Sequence, residues 1–105
     1  MKIVGVTSCV SGLAHTPMAA AALMKAGKKL GFDIKIEQQG AMGFIDELSQ
    51  SEVDAADVVI FAIDRAIEKE ERFENKKIVR VKLGQCISSA EMILTKISDK
   101  LKEEA

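Results

Sequence analysis

Cys9 stands in the run Cys9-Val10-Ser11-Gly12-Leu13-Ala14-His15-Thr16, between an apolar stretch from Ile3 to Thr7 that predicts a strand and a helix expected to begin near Pro17. A thiol at such a turn faces the backbone N–H groups of a helix N-terminus. Those donors and the helix dipole favour negative charge, so they lower the thiol pKa and cradle an anion, above all a phosphoryl group carried on the sulfur. The pattern is that of an anion site built round a nucleophile. Gly12 supplies close backbone approach, and the Ser11 and Thr16 hydroxyls are further candidate donors.

Two cysteine chemistries fit a strand-to-helix loop. Cysteine-dependent phosphatases use Cys-x5-Arg, in which the forked guanidinium grips the phosphoryl group. Here the Arg position holds His15, and the only arginines are Arg65, Arg72 and Arg80. A loop that holds phosphate by backbone donors but lacks this clamp suits a carrier whose donor and acceptor come from other proteins. His15 is either a donor to the phosphoryl oxygens or a residue that packs at the helix start. With one histidine in the chain, no His cluster for a metal is expected.

At 105 residues and 48% hydrophobic content, the chain is long enough for one domain, spanning residues 1–105, with a single core. A formal net charge of -1 leaves no basic footprint for nucleic acid, and 4% aromatic residues argue against base stacking. No apolar run approaches the ~18 residues of a membrane helix, so a cytoplasmic chain that does not itself span the membrane is expected. Cys9 and Cys86 are too few for a disulfide framework. Cys86 reads as a small core hydrophobe, near the carboxyl end of a strand.

Strands and helices must position the loop. Thr16 is the expected N-cap and Pro17 the first helical residue of a helix running through Lys29, stopped by Gly31. Asp33 to Gln38 alternates as a second strand, Gly40 and Gly43 mark a loop, and Phe44 to Leu48 reads as a helical turn. Ser51 with Asp54 resembles a capping pattern ahead of the third strand, Asp57 to Ile63. Ala66 to Phe73 reads as a short helix whose charged run, Glu68 to Glu74, forms a solvated face. Lys77 to Lys82 is the fourth strand, and the tail from Ser88 is helical. The alternation predicts an α/β domain of three layers, with a parallel four-stranded Rossmann-like sheet and helices on both faces. Ligands of such sheets bind at the carboxyl ends of the strands, where Cys9, Gln38 to Gly40, Asp64 and Gly84 to Cys86 fall.

The Cys9 to Thr16 run also resembles the active loop of the fructose-type enzyme IIB components of the bacterial sugar phosphotransferase system. Cys9, Gly12, Ala14, His15 and Thr16 match, while Val10, Ser11, Pro17 and Ala21 depart from the usual residues. The resemblance extends through Met18-Ala19-Ala20, Lys35 to Gly40 with Gly43, Ala56 to Ile60 with Asp64, and Arg72-Phe73, to about Val81. It implies strand order 2-1-3-4 and a free-standing phosphocarrier, a phosphotransferase needing no cofactor beyond a transient phosphocysteine at Cys9. The implied partners are an enzyme IIA phosphodonor and a membrane enzyme IIC that presents fructose or a fructose-like sugar at the inner face of the membrane. Residues 10–16 are then the phosphate cradle, and Met18, Gln39, Met42 and Asp64 are candidate partner contacts. Asp64 has the alternative of capping the next helix, and Gln39 that of a solvated loop residue. The competing readings are a phosphatase-like cysteine hydrolase and a non-catalytic regulatory module of the same fold.

Overall fold

The computed structural model describes residues 1–8, 15–40, 43–64 and 66–104, with His15 and Glu104 described by backbone alone. Cys9, Val10, Ser11, Gly12, Leu13, Ala14, Met42, Arg65 and the His15 side chain therefore lie outside the description. The elements are β1 (Lys2–Ser8), α1 (His15–Lys29), β2 (Asp33–Gly40), β3 (Gly43–Ile45), α2 (Gln50–Ala55), β4 (Val58–Ile63), a 3-10 turn (Glu70–Phe73), β5 (Ile78–Arg80) and α3 (Leu83–Glu104).

The sheet has order β3-β2-β1-β4-β5. β1, β2, β4 and β5 are parallel neighbours, which is the expected arrangement of four strands. The fifth is a correction. The segment expected to be a helical turn from Phe44 instead begins as β3, paired antiparallel to β2 through Gln38 with Ile45, Gln39 with Phe44 and Gly40 with Gly43. The sheet is therefore mixed. Gly43 has φ +106°, a backbone region that side chains disfavour, and this freedom lets the chain fold back beside β2.

Alternation sorts the strand side chains onto two covered faces. Ile3, Ile36, Ile60 and Ala62 pack under α1 and α3 with Leu23, Cys86 and Leu94, and half-buried Met24 packs against this core as well. Val4, Val6, Val59 and Phe61 pack on the other face with Leu48, Val53, Ile67 and Phe73. The Phe61 and Phe73 rings meet edge to face at 5.1 Å between centroids.

The helix ends refine several expectations. α1 begins at His15, so Thr16 and Pro17 sit within its first turn, where the missing Pro N–H has no intrahelical partner to lose. α1 ends where expected: Gly31 has φ +82°, its N–H donates to the Lys28 carbonyl at 3.1 Å, and the Phe32 N–H reaches the Gly27 carbonyl at 2.8 Å. The capping pattern of α2 is displaced from Ser51–Asp54 to Ser49–Glu52, which form a reciprocal capping box. α3 starts at Leu83 rather than Ser88, and Ser89 breaks its helical geometry where the Ser88 hydroxyl donates back to the Gly84 carbonyl at 3.1 Å. Cys86 thus lies in a helix, not at a strand end. It is buried, and desolvation pushes its thiol up to about 11.

Candidate functional site

From β1 the chain crosses by α1 to β2 on one side, and from β2 it crosses by α2 to β4 on the other. The crossovers cover opposite faces, so the carboxyl end of β1 is the topological switch point of the sheet, where such folds bind ligands. Residues 9–14 join Ser8 of β1 to His15 of α1 at this point. Both anchors are fixed. The buried Thr7 hydroxyl donates to the Thr16 carbonyl at 3.2 Å, tying the last turn of strand to the first turn of helix. On the other side the Asp64 N–H donates to the Ser8 carbonyl at 3.1 Å. Ser8 is itself buried, and its hydroxyl has no hydrogen-bond partner among the described residues.

Thr16 is buried at the start of α1, whereas Met18, 51% exposed, lies on the outside of that helix close to the loop. Asp64 is exposed at the carboxyl end of β4, beside β1. The 3-10 turn that follows has Lys69 at its N-cap position. Thr16, Met18 and Asp64 thus lie toward one end of the sheet.

Gln39 requires a correction. It is only 5% exposed, and its side chain is consumed by contacts inside the protein rather than presented on a rim. Its Oε1 accepts from the Glu68 N–H at 2.8 Å, and its Nε2 donates to the Glu68 carbonyl at 3.0 Å and to Glu37 Oε2 at 2.7 Å. The charged run from Glu68 to Glu74 is likewise not wholly a solvated face, because Arg72 is buried. Arg72 Nη1 donates to Glu37 Oε1 at 2.7 Å and to the Leu48 carbonyl at 2.7 Å, while Nη2 donates to Glu37 Oε2 at 2.9 Å. The Leu48 N–H completes the carboxylate's shell at 2.8 Å. Burial pushes the Glu37 carboxyl up, but the Arg72 fork, the Gln39 amide, the Leu48 N–H and the Arg72 charge outweigh it and hold Glu37 below its ordinary value.

Sequence reasoning did not find this network. Its one visible signal was the alternation of Lys35, Glu37 and Gln39 in a strand that both neighbours bury. Among the described residues no helix is long and apolar enough to cross a membrane.

A family model described as the lactose/cellobiose-specific IIB subunit of the phosphotransferase (PTS) system matches residues 4–96. The PTS system fructose-like EIIB component 2 of Escherichia coli (strain K12) is 45% identical over 104 residues, 99% of this chain and 98% of that protein. A fructose-like PTS system EIIBC component of the same organism is 36% identical over 99 residues, 92% of this chain but 20% of that longer protein. Among solved structures, the solution structure of an enzyme IIB subunit of the PTS system from Escherichia coli K12 aligns with TM-score 0.92 and 34% identity, covering 98% of this chain and 95% of that one. The YwlE arginine phosphatase, at TM-score 0.52 and 12% identity over 97% of this chain and 96% of that one, shares the fold alone.

Proposed function

The chain belongs to the enzyme IIB family of the sugar phosphotransferase system, and on that premise we propose that Cys9 is its phosphoryl carrier in the uptake of fructose or a fructose-like sugar. The observation that carries this reading is the placement of the 9–14 connection. It joins β1 to α1 at the switch point of the sheet, anchored by the Thr7 and Ser8 hydrogen bonds, and it contains a cysteine.

In the proposed reaction the Cys9 thiolate attacks the phosphorus of a phosphohistidine on an enzyme IIA partner. An S–P bond forms, the N–P bond breaks, and the imidazole leaves with the bonding electron pair. A sugar hydroxyl held by the membrane enzyme IIC then attacks the same phosphorus, loses its proton to solvent, and returns Cys9 as thiolate. The thiolate splits one difficult transfer into two. Backbone N–H groups of residues 11–16 supply charge stabilisation in both steps, with the Ser11 and Thr16 hydroxyls and His15 as further donors. Residues 10 to 14 shape the cradle, and Met18, Met42 and Asp64 are the partner-facing side chains. No cofactor enters either step.

The relative in which an IIB-like segment is part of a longer EIIBC protein supports a IIC permease as acceptor partner. The chain would then work at the cytoplasmic face of the membrane. The test is reconstitution of the chain with the phosphoenolpyruvate-driven general proteins, a fructose-type IIA and membranes containing a fructose-type IIC. Fructose phosphate formation that depends on the chain supports the reading. Failure with fructose but success with another sugar overturns the sugar assignment alone. The competing reading is a phosphatase-like hydrolase, since a cysteine in a strand-to-helix loop also serves cysteine-dependent phosphatases. Sustained hydrolysis of p-nitrophenyl phosphate by the unaltered chain would replace the carrier reading with that one.

A further inference from the structure

β2 lies within the sheet, between β1 and β3, yet the face it turns toward α2 carries Lys35, Glu37 and Gln39 at alternate positions. A strand covered on both faces is by default apolar. Each of these polar side chains instead fastens a different downstream segment. Lys35 pairs with Glu52 of α2 at 2.8 Å, Glu37 holds Leu48 and Arg72, and Gln39 holds the peptide groups on both sides of Glu68.

The last anchor has a geometric consequence. Ile63 of β4 pairs with Ser8 of β1, and the Asp64 N–H donates to the Ser8 carbonyl. By Glu68 the chain is bonded to Gln39 of β2, on the far side of β1. Strands two apart are roughly 9–10 Å from each other, so between Asp64 and Glu68 the chain has crossed the carboxyl end of β1. The crossing is pinned below by Ile67, buried in the core with Phe61 and Phe73. It passes Ser8, the residue before Cys9. Gln39 holds the far end of the strap with one amide hydrogen and its carbonyl oxygen, and its other amide hydrogen goes to Glu37 Oε2, which Arg72 holds in turn.

We propose that Gln39 is a positioning residue for phosphoryl transfer at Cys9, clamping the strap that ends at Glu68 so that it forms a fixed wall where the chain passes Ser8, the residue before the nucleophile. The inference rests on the phosphocarrier reading. Gln39 touches neither donor nor sugar. It acts through the backbone of Glu68, and a wall displaced by about 1 Å can slow a well-aligned transfer by as much as about 10²-fold.

The experiment is single-turnover phosphorylation of the whole chain by phosphorylated IIA, comparing the parent with Gln39→Met, Gln39→Asn and Lys35→Met. Lys35→Met removes a polar rung of the same strand face at the end remote from Cys9, and so serves as the control for stability loss. The expected result for Gln39→Met is a rate at saturating donor reduced about tenfold or more, with the labelled fraction and the half-saturating donor concentration unchanged. Lys35→Met should lose stability and keep the parental rate. Parental rate in folded Gln39→Met, or an equal slowing in Lys35→Met, overturns the positioning role. Should Gln39→Met not fold, Gln39→Asn decides. Its shorter amide cannot reach both groups of Glu68, so a severalfold slowing supports the role and a parental rate overturns it. A parent chain that accepts no phosphoryl group sinks the underlying phosphocarrier reading. A labelled parent with indifferent Gln39 variants sinks this inference alone.

Discussion

Arg72 and Glu37, 35 positions apart in the chain, form a two-pronged ion pair, with Nη1 to Oε1 at 2.7 Å and Nη2 to Oε2 at 2.9 Å, both side chains buried. The pair joins the segment after β4 to β2, on the opposite side of β1. Nε donates to the Lys69 carbonyl at 2.9 Å, so the guanidinium also shapes the turn that carries it. A fork of this kind fixes orientation as well as distance, which a lysine ammonium would not do.

Removing one partner leaves a buried charge uncompensated. Arg72→Met is therefore expected to cost about 3–5 kcal/mol of folding stability, read by urea unfolding. The Glu37→Met, Arg72→Met double variant should recover only part of that loss. The Leu48 N–H and the Gln39 amide would still have lost their acceptor. A single-variant cost below about 1 kcal/mol would contradict the buried geometry.

Acid sensitivity follows from two carboxylates held below their ordinary values. The Lys35 ammonium and the Ser49 N–H lower Glu52 to about 2, and Glu37 is lowered within its buried shell. A depressed folded-state pKa contributes stability that is fully present above the unfolded value and is lost as pH falls through the folded one. For Glu52 the window runs from 4.5 down to about 2. The chain should therefore be at its steady stability near neutrality and lose stability progressively below pH 4.5, with Glu52→Gln flattening part of that slope. A Glu52→Gln profile identical to the parent's would remove Glu52 from the account.

The two thiols should react differently. Burial raises Cys86 to about 11, so at neutral pH it is almost wholly protonated and shielded within α3. Native protein treated with iodoacetamide should be modified at Cys9 while Cys86 reacts only after unfolding, as peptide mapping would reveal. Rapid modification of Cys86 in the folded chain would contradict its place in the core.

The parallel order of β2, β1, β4 and β5 was legible because strand and helix patterns alternate, and the resemblance ordered them. β3 was not. Three residues are too few to show a period, and Gly43 reads as a loop residue whether the chain wanders or turns back. The Ser49–Glu52 capping box stands in the sequence as Ser-x-x-Glu, two residues before the Ser51–Asp54 pair expected to cap the helix. That Cys9 falls between a strand and a helix could be read because strand and helix patterns are local. The contacts of Gln39 could not, since Glu68 is 29 residues away and only the folded sheet brings the two together. Arg72 was hidden in a charged run for the same reason: Glu70, Glu71 and Glu74 around it are exposed, and its partner is 35 positions upstream.

The central claim is that Cys9 carries the phosphoryl group, and intact-mass and peptide mass spectrometry after incubation with phosphorylated IIA test it most directly. The account predicts one added phosphoryl group, mapped to Cys9, absent from a folded Cys9→Ser variant and retained by Cys86→Ser. Equal labelling of Cys9→Ser and the parent, or a phosphoryl group mapped to any other residue, would contradict it.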